Sequence, residues 1–93
     1  MDFPRQMQNP SAAPDALVYQ LYSAWSDAAR ASANAERMRQ VNTRYLELAE
    51  KRLNALLIGS ALNGLANAAL HAIDIPLTLQ LCDRAGFYLD QAG

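Results

Sequence analysis

Ser60, His71 and Asp74 share one side of a helical wheel, and a hydroxyl, an imidazole and a carboxylate are the parts of a nucleophilic triad. Their spacing excludes that chemistry. Ser60 and His71 are eleven positions apart, roughly 16 Å along a helix, far outside hydrogen-bond reach. His71 and Asp74, one turn apart, read as a local polar pair or an end cap. One histidine and one cysteine, Cys82, fall short of the three or four ligands a metal site needs. The four glycines are scattered singly, so no phosphate-cradling loop is present. The reading is therefore of a protein that is not an enzyme, with no catalytic residue, no cofactor and no metal.

Two other patterns remain. Ser60, Asn63, Asn67, His71 and Asp74 recur at spacings of three and four, giving one helix face of hydroxyl, amide and imidazole groups. Such a face suits close packing against a partner. Arg30, Arg37, Arg44 and Lys51 recur every seventh position, which returns to nearly the same side of a helix as a basic ridge. The ridge reads first as a solvated outer edge and second as a contact for an acidic partner. Net charge is only −1, so nucleic acid is not an expected partner.

The elements that carry these residues are helical. From residue 15 to 58 the chain holds neither glycine nor proline, the two strongest helix breakers. Leu17, Val18, Leu21, Tyr22 and Trp25 form a first apolar stripe. Stronger anchors resume from Met38 to Leu57 after a run of alanines. A single helix over 14–58 would be about 65–70 Å long, against roughly 30 Å across a compact globule of this length. Either the chain breaks near Ser32–Asn34, where serine and asparagine favour a helix start, or it belongs to an elongated assembly. Apolar residues change sides near Gly59, which predicts either a kink or turn at Gly59-Ser60 or one helix that changes packing partner there. Ile75–Leu81 alternates like a strand, yet no second strand candidate exists, so a helix over 77–90 is favoured. No internal repeat is apparent.

The expected architecture is all-α. It has two or three helices over about 14–32, 34–73 (bent near Gly59) and 77–90, in an elongated hairpin or bundle that oligomerises. Residues 1–13, with Pro4 and Pro10, read as a flexible arm before a single helical domain over 14–93. Hydrophobic residues make up 52% of the 93, but alanine, which buries little, supplies many of them. So thin a core implies burial against a copy of itself or a larger protein. The interface residues expected are Leu17, Leu21, Tyr22, Trp25, Leu53, Leu56, Leu62, Leu65, Asn63, Asn67 and His71. The function expected is a helical assembly or adaptor subunit, the alternative a small chaperone or inhibitor masking one helix of a cognate protein. The uncharged run from Leu53 to Ile73 is long enough for a membrane-embedded subunit, but its asparagines make that the weaker option. With no secretory signal at the N-terminus, a cytoplasmic location is expected. In size and helical make-up the chain resembles small components of bacterial secretion machines and their chaperones. Its Trp25-Ser26-Asp27 is not the Trp-x-Gly turn of the small secreted helical-hairpin proteins.

Overall fold

The computed structural model describes residues 13–92. Four helices of nearly equal length account for most of them: α1 (Asp15–Ala31), α2 (Ala35–Arg52), α3 (Ala55–His71) and α4 (Ile75–Ala92). The molecule measures 44 × 31 × 17 Å, too short for an unbroken helix over 14–58. Of the two alternatives, the break near Ser32–Asn34 is the one found.

One junction, used three times, sets the architecture. At the end of α1 the Asn34 N–H returns to the Ala29 carbonyl (3.2 Å) and the Ala33 N–H to that of Arg30 (2.9 Å). Ala33 takes a left-handed φ of 54°. This is the Schellman arrangement, which satisfies the last carbonyls of a helix. Asn34 then caps the next helix, its Oδ1 accepting from the Arg37 N–H at 3.0 Å. The same pattern returns at Ala49, Leu53 and Asn54, where Asn54 accepts from Leu57. It returns again at Ala69, Ile73 and Asp74, where Asp74 accepts from Leu77. Each of these positions recurs after twenty residues, so the chain does hold an internal repeat, contrary to the sequence reading.

The repeat corrects the helix boundaries. The expected helix 34–73 is two helices, and the turn lies at Leu53–Asn54 rather than at Gly59. Gly59 sits inside α3, where the missing side chain admits α4: a Cβ there would stand 2.7 Å from Leu89 and 3.3 Å from the Ala85 carbonyl oxygen. Apolar residues change sides because α3 is the central helix, buried against both α2 and α4. Residues 75–81 are helical, and α4 starts at Ile75 rather than 77. The Leu53–Ile73 run is interrupted at its start, and among the described residues no helix is long and apolar enough to cross a membrane.

Val18, Tyr22, Tyr45, Leu57, Leu62, Leu81 and a set of buried alanines form the main core. Ala13, assigned to the flexible arm, is buried in it; the rest of that arm, residues 1–12, lies outside the described residues. The start of α1 is fixed to the second junction. Asp15 accepts from Arg52 Nη1 (2.6 Å) and from Asn54 Nδ2 (2.9 Å), which holds its carboxyl below the ordinary range.

Candidate interaction surfaces

Successive helices pack through equivalent positions. Tyr22 of α1 stacks on Tyr45 of α2, with ring centroids 4.8 Å apart and planes within 5°. Twenty residues on from Tyr22, Asn42 of α2 lies against Gly64 of α3, where a Cβ would be 1.9 Å from its Oδ1. On α3 the corresponding face, with Gly59, Leu62 and Ala66, is buried, and Gly59 receives Leu89 and Ala85 of α4. Tyr22, Asn42 and Gly59 thus each meet the helix that follows, although the other two positions in register with Leu79 are the exposed Tyr19 of α1 and Arg39 of α2.

On α4 the same positions are Leu79, Cys82 and Gly86. With Ile75 and Leu89 they form a row spaced four, three, four and three, the pattern of a helix-packing seam. Leu79 is 62% exposed, Ile75 and Leu89 are exposed, and so is Cys82. A Cβ on Gly86 would meet nothing within 4 Å. Phe87, beside the row, is also exposed. Of the exposed large apolar side chains among the described residues, α4 carries more than any other helix.

A second feature is a cleft of ≈ 260 Å³ lined by all four helices. The α3 side supplies Leu56, Ser60, Asn63, Gly64 and Asn67, and α1 supplies Tyr19, Tyr22, Ser23, Ser26 and Asp27. Asn42 and Tyr45 close it from α2, and Leu89 from α4. Asn42 is buried and donates through Nδ2 to Ser26 Oγ (3.0 Å) and to the Met38 carbonyl (2.9 Å), joining α1 to α2. Tyr45 is only 2% exposed, and among the described residues its hydroxyl makes no hydrogen bond of good geometry, Ser60 being its polar neighbour. Burial pushes that hydroxyl up to about 12, with the neighbouring Ser60 hydroxyl opposing the shift. Burial raises Tyr22 in the same direction.

The expected interface residues divide between these places. Tyr22, Leu56, Asn63 and Asn67 come together in the cleft. Trp25 stands edge-on to Tyr22 with centroids 5.0 Å apart, and remains exposed. Leu21 and Leu62 are buried within the chain, while Leu17 and Leu65 pack against the core partly covered. Leu53 occupies its left-handed turn position 87% exposed, and His71 is exposed at the end of α3. Asp74 serves as the α4 cap rather than as a partner to His71. The basic ridge is divided by the first junction: Arg37, Arg44 and Lys51 lie exposed along α2, and Arg30 on α1 pairs with Asp27 at 3.3 Å.

Tyr45, Asn42, Leu79, Cys82 and Gly86 are not among the interface residues expected from the sequence. Tyr45 and Asn42 have helical spacing that marks them only as inward-facing. The α4 residues become visible once the twenty-residue register is laid along the chain. Among the described residues no group of three or more histidine, cysteine or acidic side chains is placed to hold a metal ion. Comparison with protein-family models, with curated proteins and with solved structures gives no match.

Proposed function

We propose that the chain is a non-catalytic helical interaction subunit that associates with a second copy of itself through the open face of α4. The observation supporting this reading is the exposed row Ile75, Leu79, Cys82, Gly86 and Leu89, in which Cys82 stands at the position Tyr22 and Asn42 use to meet the following helix and Leu89 also touches α3, at Gly59. A stack of helical repeats buries its apolar faces only against neighbours. Among the described residues nothing covers this face of α4. A copy of α4 supplies a complementary row, and Gly86 lets two helix backbones approach closely.

Light scattering coupled to size exclusion tests this directly. At micromolar concentration the mass expected is twice 10.2 kDa, and Leu79→Glu should return it to that of one chain with helical content unchanged. A wild-type protein that stays at the mass of one chain, or a Leu79→Glu variant that still doubles it, would refute the reading.

A further inference from the structure

We infer that the cleft between α1 and α3 binds an extended peptide segment of a partner protein by hydrogen bonds to its main chain. The Tyr45 hydroxyl is the first ground. It lines the cleft and is buried, and among the described residues it makes no hydrogen bond of good geometry, the Ser60 hydroxyl standing beside it. A buried polar group without a hydrogen bond is destabilising, and a phenylalanine would fill the same space without that penalty. The hydroxyl becomes useful when a donor or acceptor enters the cleft beside it.

The spacing of the amides is the second ground. Asn63 and Asn67 are one turn apart on α3, a rise of about 6 Å, while alternate peptide units of an extended chain repeat about every 6.6 Å. A carboxamide carries donor and acceptor in one plane, so each asparagine can pair with both the N–H and the C=O of one extended residue, which point to the same side of the chain. From Leu56 to Asn67 the floor runs roughly 16 Å, the length of about five extended residues.

The balance of charge is the third. The lining is hydroxyl, amide, aromatic and aliphatic, and its one carboxylate, Asp27, is already engaged with Arg30 at an exposed edge. A neutral main chain suits such a surface; a phosphate or an ammonium group finds no counter-ion there. Leu56, Leu89 and the tyrosine rings remain to cover apolar side chains of the segment.

A phage-displayed library of random dodecapeptides, panned on the immobilised full chain, supplies the probe. Peptides selected this way are then synthesised and titrated in solution. Affinity should fall about tenfold or more with Tyr45→Phe and with Asn63→Ala, each variant shown by its melting curve to remain folded. N-methylation of alternate peptide nitrogens should weaken binding similarly, whereas Leu79→Glu should leave it unchanged. No enrichment over an unrelated helical protein would overturn the inference. So would binding indifferent to Tyr45→Phe or to N-methylation, or binding lost with Leu79→Glu, which would move the peptide to α4.

Discussion

Asn42 and Gly64 meet so closely that no side chain larger than hydrogen fits at position 64: a Cβ there would stand 1.9 Å from Asn42 Oδ1 and 2.3 Å from its Cγ. Asn42 cannot move aside freely, because its amide holds Ser26 of α1 and the Met38 carbonyl of α2. Gly64→Ala should therefore destabilise the protein by about 1–3 kcal/mol, even though alanine is the better helix former. Gly86→Ala is the control. With nothing within 4 Å of the new Cβ, it should stabilise the isolated chain by about 0.5–1 kcal/mol. Urea unfolding of both variants under conditions that keep the chain monomeric measures the contrast. Equal effects at the two positions would contradict the packing described.

The three junctions carry left-handed residues that are not glycine, and two of them gain little burial in exchange. Leu53 is 87% and Ile73 81% exposed, with φ of 52° and 60°. A left-handed conformation costs an ordinary residue about 1–2 kcal/mol, and a β-branched one is the rarer case. Ile73→Gly should raise stability by about 1 kcal/mol, and Leu53→Gly by a similar or smaller amount. Thermal melting reads the shift. A fall in melting temperature for both would mean that these side chains stabilise the fold in some other way.

These residues also explain which parts of the fold were legible in the sequence. The all-helical class follows from the long stretch free of glycine and proline, and the first break from Ser32–Asn34. The turn at Leu53–Asn54 was hidden, because glycine is the ordinary mark of a helix end and here leucine takes its place. Gly59 gave the opposite false signal, its role being to admit Leu89. The repeat was obscured for the same reason: its fixed elements are Ala29, Ala49 and Ala69 with Asn34, Asn54 and Asp74, while the left-handed position varies as alanine, leucine and isoleucine. The polar face Ser60–Asn63–Asn67 was visible by its period, and it does line the cleft. The setting of the Tyr45 hydroxyl depends on what three other helices place around it, and no local pattern encodes that.

Asn54 has two tasks where Asn34 has one. It caps α3 through its Oδ1 and donates through its amide to Asp15. Asn34→Ala should cost about 1 kcal/mol, the usual loss of a cap, and Asn54→Ala more. A denaturation series on the two variants gives the order. Asp15 also predicts the acid limb. Its folded carboxyl lies below the ordinary 3.8, chiefly through Arg52 and then Asn54, so its contribution is present above that value and is lost as pH falls through the folded one. Glu36, lowered by Arg39, acts in the same direction. Asp15→Asn should therefore flatten the loss of stability below about pH 4. An unchanged acid limb would show that the Arg52 pair does not couple to folding.

Tyr45 governs the alkaline side. Its hydroxyl titrates near 12 when folded and near 10 when unfolded, so the folded chain holds that proton more tightly. The stabilisation is complete below pH 10 and is lost as pH rises toward 12, amounting to about 2–3 kcal/mol. Tyr45→Phe should remove most of this loss, and at neutral pH should leave stability equal or higher, since it deletes a buried hydroxyl that makes no hydrogen bond of good geometry among the described residues. Urea midpoints at pH 7, 10 and 11.5 test both statements. A Tyr45→Phe variant markedly less stable at neutral pH would mean that the hydroxyl is bonded in the folded protein.

Cys82 gives the self-association a chemical readout. It lies at the centre of the row running from Ile75 to Leu89. In a two-fold symmetric pairing of antiparallel helices, the central residue of the row faces its own copy. Mild oxidation of the wild-type protein should therefore yield a disulfide-linked dimer quickly and in high yield. Leu79→Glu should slow the cross-link to the rate of a random exposed thiol, and Cys82→Ser should abolish it while the non-covalent dimer persists in light scattering. The cross-link reports geometry as well as association. A dimer that forms without it would require the two α4 rows to pair off-centre, since a disulfide needs the two Cα atoms within about 7 Å.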